Sequence, residues 1–173
     1  MINHWMAWEG GVDLIALTRD GLEQPDLIVH MARMVHTPVG SAPSGLLLLP
    51  GDDGQPKLAG FVSEKEEVGR YIGPHIFAGT PFENAPVFTG EIEVEIAAPQ
   101  SVKVKVSARE YSIVSELRNL GELQRADRAP GAFPFHDNSL EARAGEVTLT
   151  FDGKEIEPAV VASAVWAPCG FYT

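Results

Sequence analysis

Glu91-Ile-Glu-Val-Glu-Ile96 alternates strictly between polar and apolar, and Val102-Lys-Val-Lys-Val106 does the same in the opposite phase of charge. Folded back around 97–101, the runs place Ile96 against Val102, Val94 against Val104 and Ile92 against Val106. Glu95 then meets Lys103 and Glu93 meets Lys105 on the other face. Matched apolar pairs and matched opposite charges in one register predict an antiparallel hairpin with one buried and one wet face.

The same reading extends along the chain. Val12–Thr18 predicts a first strand between Gly10-Gly11 and the Arg19-Asp20-Gly21 turn. Residues 26–37 carry apolar side chains at 27, 28, 31, 34 and 35, which fits a helix opened by Pro25-Asp26 and stopped before Pro38 better than it fits a strand. Leu46–Leu49 and Lys57–Val62 read as strands around a polar turn at 50–56. Ser63-Glu-Lys-Glu66 has the form of a capping box. It leads into a short helix with Val68, Tyr71 and Ile72 on one face and Gly73-Pro74 as its stop. Ser107-Ala-Arg-Glu110 repeats the device, and Tyr111, Val114, Leu117 and Leu120 follow at helical spacing. A strand through Val114 is the alternative there. Glu146–Phe151 and Lys154–Glu157 flank Asp152-Gly153, the dipeptide that mirror-type hairpin turns favour. The uncharged tail 158–173 predicts a strand over 159–166 that is buried on both faces or covered by a partner subunit.

About eight strands in hairpin order with two or three short helices define a mainly β, α+β fold, its antiparallel sheet curled into a barrel or a two-layer packing. No repeat or linker divides residues 1–173, so a single domain is expected.

Composition narrows the partners. The 173 residues carry 24 acids against 13 bases, a net charge of −11. That surface repels phosphate backbones and anionic lipid, which disfavours nucleic-acid and membrane partners. Between Lys103 and Arg128 six cations accompany four acids, as on a solvated face of mixed charge. The first residues lack the pattern of a signal peptide, and the one cysteine, Cys169, cannot form an internal disulfide. A cytoplasmic protein is expected, with Cys169 buried and inert in its apolar tail.

Candidate chemistry concentrates in two segments without periodicity, 73–90 and 128–139. Each mixes phenylalanines with Pro and Gly, and each holds a histidine near a carboxylate: His75 with Glu83, and His136 beside Asp137. Long loops of this kind either plug a barrel end or wall a pocket. In the pocket reading Phe77, Phe82, Phe133 and Phe135 line an apolar cavity. The His/carboxylate pairs then supply acid–base catalysis, and Arg118 or Arg128 holds an anionic group.

No metal-ligand spacing is present, and no cofactor is implied. His30 and His36 on a helix stand roughly 240° apart and converge only if 26–37 is a strand. A metal site assembled from His75, His136 and a carboxylate is the remaining route. Gly40-Ser-Ala-Pro-Ser-Gly45 lacks the context of a nucleophile elbow, and no phosphate-binding loop occurs.

Two functions of different class fit these features. One is a barrel-like domain that binds a small apolar molecule and works on it by His/carboxylate chemistry. The other is a non-enzymatic interaction or homo-oligomeric assembly module, suggested by Trp5 and Trp8 near the start and by the apolar tail.

Overall fold

The hairpin expected at 91–106 forms in the expected register. In the computed structural model, which describes residues 4–173, Ile92, Val94 and Ile96 face Val106, Val104 and Val102, and Glu93 and Glu95 face Lys105 and Lys103. The Lys105 ammonium reaches Glu95 diagonally at 2.7 Å and the opposed Glu93 at 3.4 Å. These two strands, β5 (Val87–Ala97) and β6 (Ser101–Ala108), belong to a larger set. Before them come β1 (Met6–Leu17), β2 (Leu27–Thr37), β3 (Gly40–Leu49), β4 (Leu58–Ser63) and α1 (Glu66–Ile76). After them come β7 (Tyr111–Leu120), β8 (Gln124–Arg128), β9 (Asp137–Phe151), β10 (Lys154–Ile156) and β11 (Val160–Tyr172).

Nine strands close into a barrel in the order β9-β11-β1-β2-β3-β4-β5-β6-β7, with β7 returning to β9. The one parallel joint is β4 with β5. A parallel neighbour requires the chain to travel back along the sheet before re-entering it, and α1 with the loop after it makes that crossing. β9 is long enough to serve four partners. Its first half pairs with β11 and β8, its second half with β7 and β10. Inward residues of every wall, among them Leu14, Val29, Leu47, Val104, Leu117 and Leu149, fill the interior.

One short helix is present among the described residues, where two or three were expected. Residues 26–37 are strand β2, not a helix. Leu27, Val29 and Met31 point into the barrel, a bulge shifts the register between Ala32 and Val35, and Ala32 and Val35 then lie under α1 on the outer wall. Both faces are covered and the phase slips midway, so the strand loses its period of two. Residues 111–120 are likewise strand β7. Ile113, Ser115 and Leu117 face inward, and a two-residue turn with Arg109 at φ 53° takes the place of the second capping box.

Helix α1 lays Val68, Tyr71, Ile72 and Ile76 against Leu46, Phe61 and Ala42. Its own capping box does not form. Lys65 occupies the cap position without a side-chain bond, and Ser63 Oγ is held by Ser44 Oγ at 2.7 Å while donating to the Lys65 carbonyl. Nor do Gly73 and Pro74 end the helix. Proline there removes a single late hydrogen bond, and burial of Ile76 and Phe77 holds the last turn. Gly73 has a different role: a Cβ there would lie 2.6 Å from the Glu83 carbonyl, so only glycine lets the following loop pass.

Two further expectations are corrected. Gly10 and Gly11 sit inside β1, which begins earlier than expected. The final strand runs to Tyr172, and its start at Val160 and Val161 is exposed in this chain rather than buried on both faces. Cys169 is exposed as well, so burial does not shield its thiol. At Asp152-Gly153 both residues have positive φ, 47° and 78°, the geometry of the mirror-type turn. Trp8 packs on its own chain, its indole flat over Gly11 and Gly170 and 4.7 Å from the Tyr172 ring. Among the described residues no helix is long and apolar enough to cross a membrane.

The run Leu46–Leu49 tests the two-sided wall. Leu47 and Leu49 fill the barrel and Leu46 lies under α1, whereas Leu48 is only half-buried. Leu46→Ala and Leu47→Ala are each expected to cost about 2–5 kcal/mol in chemical denaturation, and Leu48→Ala less than about 1.5 kcal/mol. Equal losses at all three positions would contradict the assignment of faces.

Candidate functional site

The regular pleat of β1, and of β2 ahead of its bulge, decides which polar groups emerge on the outer wall. Asp13 and Ile15 leave β1 on that side, opposite His30 and Ile28 of β2, with Leu46 of β3 beside them. Two loops rise over this patch. The loop 77–86 follows α1 and is braced by its own bonds: Thr80 Oγ1 donates to the Phe77 carbonyl at 2.7 Å, and the Gly79 N–H donates to Glu83 Oε2 at 2.7 Å. The loop 129–136 links β8 to β9, and a reciprocal backbone pair between His136 and Thr173 ties down its end.

Between wall and loops lies a cleft of about 670 Å³, open on one side, which narrows below to a recess of about 190 Å³. Phe77, Phe82, Phe133 and Phe135 all line it. Phe133 meets Phe77 edge-on at 5.6 Å and stacks with Phe135 at 5.4 Å, and Phe135 stacks with Tyr172 at 4.0 Å. Aromatic contacts therefore join the two loops to each other and to the C-terminal strand.

The floor is polar. His30 Nδ1 and Asp13 Oδ1 are 3.0 Å apart, and Ser163 Oγ of β11 donates to Asp13 Oδ2 at 2.9 Å. Arg128 grips Glu141 with both terminal nitrogens at 2.7 Å, and the same Nη1 donates to Asp137 Oδ2 at 2.8 Å. Desolvation opposes the charge on His30. The hydrogen bond and charge of Asp13, with Asp137 adding to them, outweigh it and raise the imidazole above its ordinary value. Burial likewise pushes Asp13 up, but bonds from His30 and Ser163 bring it below the usual carboxylate range. Tyr172 is driven up by burial first and then by Asp137, Asp13 and Glu141.

Among the described residues His30 Nε2 and the Tyr172 hydroxyl have no protein hydrogen-bond partner, and neither does the buried Asp137 Oδ1. All three residues line the cleft. An imidazole oriented through Nδ1 by a carboxylate, with Nε2 free, can donate or accept a proton.

Of the residues expected from sequence, the four phenylalanines, Arg128 and Asp137 come together here. The others do not. His75 lies on α1, stacked on His4 at 4.3 Å and tilted on Tyr71 at 4.6 Å, where burial and then the neighbouring imidazole of His4 lower its pKa. Glu83 braces its own loop instead of meeting His75. The His136 ring bonds Asp127 rather than Asp137, and Arg118 pairs with Glu116 on β7, outside the cleft. Asp13, Ser163 and Tyr172 are not among the residues expected here, and His30 enters the expectation only as a partner of His36, whose ring instead bonds Ser41 and Glu9. Only the β1/β2 register sets Asp13 opposite His30, and that register is invisible while 26–37 reads as a helix. Among the described residues no group of three or more His, Cys, Asp or Glu is placed to hold a metal ion.

Compared with models of protein families, with curated proteins and with solved structures, the chain gives no match.

The floor pair makes stability depend on pH in a defined direction. His30 has a raised folded value, so its contribution is full below 6.5 and is lost as pH rises through that raised value. Asp13 has a lowered one, so its contribution is present above 3.8 and is lost as pH falls through it. Thermal unfolding from about pH 3 to about pH 9 is expected to show wild type ahead of His30→Gln in the middle of that range, with the lead shrinking at both ends. A lead that grows toward alkaline pH would refute the ion pair.

Proposed function

We propose that this protein binds a small, largely apolar molecule in the outer cleft, its body against the phenylalanines and one polar end on the floor. The observation that carries this reading is the union of four phenylalanines from two separate loops around one cleft of about 670 Å³. That volume and that mixture, apolar walls with a few convergent polar groups, are those of small-molecule sites. Among the described residues the barrel interior is filled by side chains such as Leu14, Val29, Leu117 and Leu149, which have almost no accessible surface.

Catalysis is a second reading, favoured by the Asp13–His30 bond. With Nδ1 engaged and its pKa raised, His30 is suited to give a proton from Nε2 to a molecule in the cleft and take it back, as an isomerisation requires.

A neutral fluorescent probe, N-phenyl-1-naphthylamine, tests the binding reading. Wild type is expected to enhance its emission saturably. Ile28→Trp, which fills the cleft from the β2 wall, should weaken binding at least about ten-fold. Phe133→Ala removes part of the wall and should weaken it roughly three- to ten-fold. Unchanged binding in both variants, with the melting temperature preserved, would rule the cleft out.

A further inference from the structure

We propose that the molecule bound in the cleft carries an uncharged carbonyl group and that the Tyr172 hydroxyl donates a hydrogen bond to it, an inference that rests on the cleft being a binding site. Tyr172 lies near the end of β11, opposite Met6 of β1 and Asp137 of β9, and lines both the cleft and the recess beneath it. Two aromatic neighbours hold its ring, Phe135 stacked at 4.0 Å and Trp8 tilted at 4.7 Å. The phenol is therefore in place before a ligand arrives.

Its hydroxyl stands at the polar floor, close enough to Asp137, Asp13, Glu141 and Arg128 for their charges to act on it. Among the described residues it nevertheless has no hydrogen-bond partner, because those four groups bond one another, His30 and Ser163 instead. A tyrosine hydroxyl packed round by protein ordinarily finds a partner, and one left without it is unfavourable until a bound molecule supplies it.

The remaining floor groups are engaged, unreachable or indifferent to the ligand's head. Arg128 gives both terminal nitrogens to Glu141 and Asp137. Asp137 Oδ1 is sealed from solvent, whereas the Tyr172 hydroxyl and His30 Nε2 are not. Nε2 donates or accepts according to the protonation of the imidazole, so it suits either kind of ligand atom. The hydroxyl does discriminate. Burial and the three carboxylates raise its pKa above the ordinary phenol value, so its proton stays on. A phenol is a good donor and, with a lone pair drawn into the ring, a poor acceptor. The ligand atom that fits it is an acceptor. A carboxylate or phosphate head would meet Asp13, Asp137 and Glu141 as a like charge, with the one arginine already paired. A carbonyl accepts the bond, brings no charge, and leaves the rest of the molecule to the phenylalanines.

Acetophenone, α-methylstyrene and benzoate have nearly the same shape and differ at one group, a carbonyl, an alkene methylene or a carboxylate. Their displacement of N-phenyl-1-naphthylamine from the full chain, in wild type and in Tyr172→Phe, isolates the hydroxyl. The substitution removes one oxygen and leaves the ring against Phe135 and Trp8. It is expected to weaken acetophenone about three- to ten-fold and α-methylstyrene less than about two-fold. In wild type benzoate should bind more weakly than acetophenone. Difference infrared spectra give a second readout: the carbonyl stretch of bound acetophenone is expected below its value in hexane, and Tyr172→Phe should return it toward that value. Equal losses for the ketone and the hydrocarbon, a stretch that Tyr172→Phe leaves unmoved, or tighter binding of benzoate than of acetophenone would overturn the proposal. If none of the three displaces a probe that Ile28→Trp shows to occupy the cleft, the carbonyl assignment falls and the cleft reading stands. If the probe itself does not bind, both fall.

Discussion

Backbone hydrogen bonding along β9 is the constraint on which the rest of the structure depends. A strand leaves donors and acceptors on both edges, and a sheet that ends exposes them. β9 meets this by taking β11 and then β10 on one edge, and β8 and then β7 on the other. The two ends of the sheet are thereby joined through one strand. Closure sets the inward and outward faces of every other strand, because a register step at the seam would turn whole rows of side chains over.

The second consequence of closure is an outer wall that is apolar where something covers it. α1 and the crossing to the parallel β5 shield Leu46, Phe61 and Val35 from outside while Leu47, Val62 and Met31 fill the barrel. Beyond the end of the helix the cover lifts away from the wall, and the cleft opens there. The same crossing that makes the parallel joint possible thus supplies one lip of the cleft, and the connection from β8 to β9 supplies the other. The site belongs to the outside of the barrel, where loop length is less constrained than in the packed interior.

Electrostatics in the cleft follow from this placement. Asp13, His30, Ser163, Arg128, Asp137 and Glu141 come from five strands, and each faces outward because the next residue along its strand faces inward or pairs across the sheet. The Arg128 side chain stays about half exposed, so water screens its bonds to Glu141 and Asp137, whereas His30 and Asp13 are each about two-thirds buried and act on one another more strongly. The free Nε2 of His30 remains for a molecule entering from solvent.

Local order could be read directly from the chain. The β5–β6 hairpin, the Asp152-Gly153 turn and the phenylalanines of the two irregular loops depend on residues close together in sequence, so their patterns stay intact in the linear text. Two of the strands could not be read in that way. β2 is apolar toward the interior and then, after its bulge, toward α1, and β7 carries apolar residues at 111, 114, 117 and 120 that mimic a helix. The polar floor was hidden for a different reason. Asp13, His30 and Ser163 are far apart along the chain and become neighbours only through strand register and barrel closure. Sequence alone determined the hairpins and the aromatic loops, because adjacent residues encode period and turn. Tertiary structure decided which histidine meets which carboxylate, because that depends on the pairing of distant strands.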